Sequence, residues 1–252
     1  MIIDLSIIIP TYKEEKRIGK TLEELADYLK NIKEEIEVII IDADSPDKTT
    51  KIARNYADLF KHFRIINDGP KEGKGKQVRD GVFEAKGKYI MFMDADLATP
   101  LKYLKKVFYD MHKKKSVSIC VRNLQKTHKG LRKFISGFGN FLVQILLLPG
   151  IKDSQCGFKS FEANAARDIF SRQTIIGWGF DMEILAIARK LGYSIDMINV
   201  EDWKDVEKGS KISGNFALKV ALTTFGDLLT IKKNLILGKY KTPIFTYQST
   251  NK

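Results

Sequence analysis

The chain of 252 residues is long enough for one sizeable core, and its 44% hydrophobic and 29% charged residues exclude an intrinsically disordered protein. Two cysteines, Cys120 and Cys156, and three scattered histidines exclude a disulfide scaffold and leave zinc-finger or histidine-rich metal sites short of ligands. With 43 lysines and arginines against 31 acids, the net charge of +12 calls for an anionic partner: nucleic acid, a phosphorylated small molecule or an acidic membrane surface.

Met1 to Asp4 lead into an apolar run without a basic n-region or a long apolar core, so no secretory signal is expected. Leu5 to Ile9 ends at Pro10 and reads as a strand buried on both faces. Leu22, Leu25, Ala26 and Leu29 then fall at helical spacing. Val38 to Ile41 is a second buried strand, followed by a helix starting near Asp47, and Phe63 to Ile66 is a third strand. A glycine-rich loop, Gly69 to Gly75, opens another helix, and Tyr89 to Met93 is the fourth strand. This alternation predicts an α/β fold, a Rossmann-like, mostly parallel sheet with helices on both faces. Ligands of such sheets bind beyond the carboxyl ends of the strands, where the polar clusters after Ile9, Ile41 and Met93 fall.

Past residue 120 the pattern changes. A basic segment, Arg122 to Lys133, precedes an uncharged stretch from Phe134 to Ile151. That stretch is near the ~17–25 residues of a bilayer span. Ser136, Asn140 and Gln144 nevertheless recur every four residues as a polar stripe, so a buried or membrane-grazing helix is expected, ended by Pro149 and Gly150. Short helices near 162–171 and 181–191 and a strand near 194–200 follow. A long amphipathic helical extension from Phe216 to Leu237 carries Leu218, Ala221, Leu222, Phe225 and Leu229 at helical spacing. It is either ordinary core packing or an interfacial helix on an anionic leaflet. Without a linker tract or an internal repeat, a single domain over 1–240 with a tail over 241–252 is the expectation.

Asp94-Ala95-Asp96 directly follows the fourth strand. Two carboxylates at a strand end can face one divalent ion, since Mg²⁺ takes one or two protein carboxylates beside substrate phosphate oxygens; a solvated turn is the plain alternative. Asp42-Ala43-Asp44-Ser45-Pro46-Asp47 fails as a calcium loop, because Asp47 replaces the glycine and Ala53 the closing glutamate. Its residues either cap the next helix or touch a nucleotide base. Gly69 to Gly75 is one residue short of the Walker spacing and is not G-x-G-x-x-G, which leaves a loop whose Lys71, Lys74 and Lys76 suit a diphosphate or are simply solvated. Arg122, Arg132 and Lys133, with Ser136, form a basic rim beside the uncharged helix, fitted to a phosphate on a lipid tail or merely solvated. Aromatics interleaved with the basic residues, which nucleic acid would need, are absent there.

As a set these residues resemble a known family. Ser6-Ile-Ile-Ile-Pro10-Thr-Tyr12-Lys-Glu14 and Met93-Asp94-Ala95-Asp96-Leu-Ala-Thr-Pro100 are similar to the opening loop and metal motif of family 2 inverting glycosyltransferases with the GT-A fold. Asp153-Ser-Gln-Cys-Gly-Phe-Lys-Ser-Phe161, Trp178-Gly-Phe-Asp181-Met-Glu183 and Glu207-Lys-Gly-Ser-Lys211 resemble segments of dolichyl-phosphate glucosyltransferases and, more distantly, of dolichol-phosphate mannose synthases. The similarity runs over roughly residues 4 to 237.

The resemblance implies that Pro10, Tyr12, Glu14, Asp42, Ala43, Lys76, Asp94, Ala95 and Asp96 hold a nucleotide-sugar donor. Asp94 and Asp96 would bind Mg²⁺ or Mn²⁺ on its diphosphate. Arg122, Arg132, Ser136 and Lys211 would contact a polyprenyl phosphate acceptor or the departing diphosphate. Residues 1–120 then form the donor part and 121–240 the acceptor and membrane-facing part, with the protein peripheral on the cytoplasmic face of a membrane. UDP-glucose as donor and inversion to a β-linked product are implied, with GDP-mannose or a saccharide hydroxyl acceptor as the alternative and a non-catalytic nucleotide-sugar binder behind it. Two departures stand out: Ala43 occupies the place of the family's second aspartate, which helps read the base, and the membrane helix that begins eukaryotic relatives has no counterpart before Leu5. Asp181 sits where relatives with hydroxyl acceptors place their base. A phosphate monoester with its second pKa of ~6 is already largely ionised at neutral pH, so Asp181 is expected to orient the acceptor or the metal shell, with proton abstraction as the alternative role.

Overall fold

The computed structural model describes residues 2–111, 116–122, 139–203 and 214–245. Seven strands form one sheet: β1 (Leu5–Thr11), β2 (Ile36–Asp42), β3 (His62–Asn67), β4 (Tyr89–Met93), β5 (Val117–Arg122), β6 (Phe158–Glu162) and β7 (Ile195–Val200). Their order is β3-β2-β1-β4-β6-β5-β7. Every neighbouring pair is parallel except those of β6, which runs antiparallel to both β4 and β5. The helices are α1 (Ile18–Leu29), α2 (Thr49–Arg54), α3 (Lys74–Glu84), α4 (Lys102–Met111), α5 (Ala163–Phe170), α6 (Phe180–Lys190) and α7 (Gly214–Ile236). A further helical stretch covers 139–146. The expected α/β sheet with helices on both faces is the fold observed.

The two-residue period of a strand sorts the apolar runs into two cores. Leu5, Ile7 and Ile9 of β1, with Val38 and Ile40 of β2, pack on Ile18, Leu22 and Leu25 of α1 and on Leu104 and Val107 of α4. Ile8, Ile39 and Ile41 face the other way, onto Val78 and Val82 of α3, with Ile169 of α5 and Ile184 of α6 in the same cluster. Continuous Ile/Val runs are what a sheet covered on both sides requires, and each such side chain fully buried stabilises by about 1.5–3 kcal/mol.

Three elements depart from the sequence-based expectation, which contained no helix over 102–111 and no strands over 117–122 and 158–162. β6 hides its pattern because it carries Lys159, a lysine with 0% exposure, in the middle of an otherwise apolar pairing segment. Of the uncharged stretch, the described part is helical over 139–146 and ends ahead of Pro149 and Gly150, whose φ is +82°. Val143 and Leu147 of this stretch are buried while Phe141 and Ile145 are exposed, so it lies half in the core. Among the described residues no helix is long and apolar enough to cross a membrane.

Candidate active site

The chain leaves β1 toward β2 and β3, then returns to place β4 on the other side of β1. At such a switch point the loops after neighbouring strands part and open a crevice at the carboxyl ends. Here the loops after β1 and β4 border a cavity of about 700 Å³ lined by Pro10, Tyr12, Glu14, Asp94, Ala95 and Asp96. The rest of its lining comes from later in the chain and includes Arg122, Gly157, Trp178, Asp181, Trp203 and Thr224.

Asp94 and Asp96 face this space from the end of β4. The Asp94 backbone N–H donates to the Gly157 carbonyl at 3.1 Å, and a Cβ on Gly157 would stand 2.0 Å from Asp94 Oδ2. Only glycine leaves the carboxylate room to sit as it does. Asp96 Oδ1 accepts the Ala98 N–H at 3.0 Å, and the Thr21 hydroxyl donates to the Ala95 carbonyl at 2.6 Å, which fixes the turn between the acids. Burial, with the charge of Asp94 added, raises the Asp96 pKa. Glu14 is raised in the same way, by burial first, against the pull of Arg17 and with Asp96 and Asp94 adding to it. Glu14 and Asp96, both raised beside the Asp94 carboxylate, mark a place that favours a cation.

One cation is already there. Lys74 pairs with Asp94 Oδ1, and its ammonium lies 5.9–6.0 Å from the ring centroids of Phe92, Trp178 and Phe180. Burial favours the neutral amine, yet Asp94, Asp181 and Asp96 outweigh it and raise the lysine's pKa. The glycines around it serve packing: a Cβ on Gly73 would lie 2.2 Å from the Ile176 carbonyl oxygen, and one on Gly75 would lie 2.6 Å from Phe180 Cβ. The Gly75 N–H donates to the same Ile176 carbonyl at 2.8 Å. The glycine-rich loop is therefore clamped against the segment before α6.

Lys76, assigned to the donor by resemblance, points elsewhere. Its ammonium is held by Asp68 at 2.8 Å and Asp80 at 3.0 Å. Asp42 is buried and its carboxylate is taken up locally, accepting from the Thr11 hydroxyl at 2.8 Å and from Ser45 N–H and Oγ at 2.8 and 2.7 Å. Ala43 is likewise buried, its N–H bound to the Thr11 carbonyl, while Asp44 is exposed with φ +49°. Lys71 does reach the cavity wall and lies 4.2 Å from the Tyr12 ring centroid.

Asp181, in the first turn of α6, also lines the cavity; it is 3% exposed and bound by Lys159 Nζ, which also donates to the Cys156 carbonyl at 2.7 Å. Burial raises the Asp181 pKa, with Asp94 adding, while Lys159 and Lys74 oppose it. Arg122 grips Asp153 through Nε at 2.6 Å and a terminal nitrogen at 3.0 Å and stacks 5.1 Å from Trp203. Burial alone would raise the Asp153 pKa, but these arginine contacts outweigh it and lower it. Arg132, Ser136 and Lys211 lie outside the described residues. Of the three loop lysines that the sequence leaves as suited to a diphosphate or solvated, Lys71 and Lys74 reach the cavity, whereas Gly157, Lys159, Asp153 and Trp203 carry no role predicted from the sequence, although the first three fall inside the segment Asp153 to Phe161.

Among the described residues no three His, Cys, Asp or Glu side chains converge as a ready-made metal cage. Two carboxylates at one strand end, one already neutralised by an ammonium, fit instead an ion such as Mg²⁺ or Mn²⁺ that completes its shell with water and phosphate oxygens.

The profile of Glycosyl transferase family 2 matches residues 6–170. A dolichyl-phosphate beta-glucosyltransferase of Trichomonas vaginalis is 34% identical over 86% of this chain and 70% of its own length. The human enzyme of the same name is 32% identical over 94% of this chain and 77% of its own. Among solved structures, glucosyl-3-phosphoglycerate synthase from Mycobacterium tuberculosis in complex with UDP superposes with a TM-score of 0.68 at 16% identity, covering 91% of this chain and 80% of that one. The same synthase with Mn²⁺, UDP-glucose and phosphoglyceric acid gives 0.65 at 15% identity over the same shares, a likeness of fold. With its acids at the switch point of a GT-A sheet and relatives of this similarity along nearly its whole length, the chain is a glycosyltransferase and belongs to family 2, alongside the dolichyl-phosphate beta-glucosyltransferases.

Proposed function

We propose that this enzyme transfers glucose, with inversion, from UDP-glucose to a polyprenyl phosphate of the dolichyl type at a membrane surface. The observation that carries this reading is that Asp94 and Asp96 share one cavity with Arg122 and Asp181. A donor diphosphate at the acids and an acceptor phosphate at the arginine can then meet across about 700 Å³, a volume suited to a bound ligand. Tyr12 and Lys71 form the wall nearest β1, suited to the nucleotide. Asp94 and Asp96 would hold Mg²⁺ or Mn²⁺, which supplies neutralisation of the leaving diphosphate. Arg122, locked by Asp153 through two of its nitrogens and stacked on Trp203, is a fixed guanidinium whose remaining N–H groups can hold the acceptor in line.

The acceptor needs no strong base, because a phosphate monoester is largely ionised at neutral pH. Asp181, held by Lys159 at the cavity wall, serves to orient the acceptor or the metal shell. Membrane attachment is supported by the outer face of α7, where Leu222, Phe225, Leu229 and Ile236 are 63, 44, 50 and 75% exposed.

The test is a panel of radiolabelled sugar nucleotides offered with polyprenyl phosphate, scoring label in the organic phase. UDP-glucose should label it, chelation should stop the transfer, and Asp94→Asn or Asp96→Asn should lower kcat by about 100-fold or more. Asp181→Asn should slow turnover without abolishing it. Label that stays aqueous with every donor refutes the reading, and complete loss in Asp181→Asn points to a hydroxyl acceptor instead.

A further inference from the structure

We infer that Lys74 is a built-in rival of the divalent cation for Asp94, and that this rivalry strengthens the coupling between metal and nucleoside diphosphate beyond what their direct contact gives. The inference rests on the proposed donor site at Asp94 and Asp96.

The pairing of Lys74 with Asp94 is imposed by the backbone. Lys74 is the first residue of α3, between two glycines that can take no Cβ, because the Ile176 carbonyl and Phe180 press against them. The loop is tied there by the Gly75 N–H to Ile176 bond, so the lysine stem starts from a fixed point. Its side chain is 14% exposed and its ammonium is walled by Phe92, Trp178 and Phe180. The carboxylate is equally constrained, since Gly157 leaves it a slot with no space for an added carbon.

A cation arriving without a donor must break this pair and sit beside the displaced ammonium, which is left with the rings and with Asp181, a carboxylate outside ion-pair distance, and this is unfavourable. A diphosphate arriving with the cation gives the same ammonium a new anionic partner at little cost in movement, because the lysine stays within the one cavity. Each ligand thus relieves the obstacle to the other, and by linkage the gain is reciprocal. Lys76 cannot take this role, since Asp68 and Asp80 already hold it.

The experiment measures free Mn²⁺ by electron paramagnetic resonance against wild-type, Lys74→Met and Lys74→Arg proteins, with and without UDP. In wild type, UDP should tighten Mn²⁺ binding by about tenfold or more, in the range usual for coupled sites. Lys74→Met should bind Mn²⁺ about tenfold more tightly than wild type when UDP is absent, and its enhancement by UDP should shrink by a similar factor. Lys74→Arg, which keeps the charge, should stay within about threefold of wild type. A second readout needs no variant: at saturating Mn²⁺ without UDP, acetic anhydride should label Lys74 of the wild-type protein more than in metal-free protein, and UDP should reverse the gain. Unchanged or weaker Mn²⁺ binding by Lys74→Met overturns the inference, as does Lys74 labelling that Mn²⁺ leaves unmoved. Wild-type protein that binds no Mn²⁺ even with UDP overturns the reading of the Asp94–Asp96 site itself.

Discussion

At the scale of single residues the site depends on what is missing as much as on what is present. Gly157 has no chemistry, yet any Cβ there would fall 2.0 Å from Asp94 Oδ2 and push the carboxylate out of its slot. Gly157→Ala should therefore weaken Mn²⁺-dependent UDP binding by about tenfold or more in calorimetry while the protein remains folded, since the displaced group is a partly exposed carboxylate. Binding equal to wild type would show that Asp94 is free to move and does not need the slot. The acids were legible from the sequence because a D-x-D directly after a buried strand has only one place to go in a parallel sheet. The lysines were not. Lys74 and Lys76 are two residues apart on α3, about 200° around the helix, so one turns into the cavity and the other toward Asp68 and Asp80. Loop composition cannot say which, because the answer depends on the angle at which α3 docks. Asp181 was singled out from its motif and lines the cavity, but its partner Lys159 was not legible, since nothing local distinguishes a lysine buried at 0% exposure from one in water.

At the scale of elements, α7 has two unlike faces. Leu228 and Ile231 are buried in the core and Asn234 beside them, while Asp227 faces Gly179 at the start of α6 and accepts its N–H. Leu222, Phe225 and Leu229 lie on the outer side, in contact with water. The spacing of these residues was plain in the sequence, but helical spacing alone leaves open whether a stripe faces a core or a bilayer; here the second half of the helix uses a different stripe for the core. Replacing Leu222, Phe225 and Leu229 by glutamine should cut vesicle binding by about tenfold, measured by flotation, with UDP binding kept within about twofold. If binding to vesicles persists unchanged, the outer face of α7 is not the membrane contact. The strand β6 was hidden for the converse reason: its single buried charge breaks the apolar run that otherwise announces a strand.

At the scale of the whole molecule, the net charge of +12 acts beyond any single contact. Binding to vesicles containing anionic lipid should weaken as salt is raised from about 0.1 M to 1 M, where the screening length falls from about 10 Å to 3 Å. Equal partitioning into neutral vesicles would show that charge plays no part. The same molecule also marks the boundary between what a linear reading can and cannot reach. The alternation of apolar runs, the acids after β4 and the family were determined by the sequence alone, because strand burial, strand-end position and motif order are local or ordered along the chain. The insertion of antiparallel β6 between β4 and β5, the turn of Lys74 into the cavity, the pairing of Lys159 with Asp181 and the exposure of the outer face of α7 were decided only by tertiary structure. Each depends on which surfaces meet across the fold, and that is set by the packing of segments far apart in the chain.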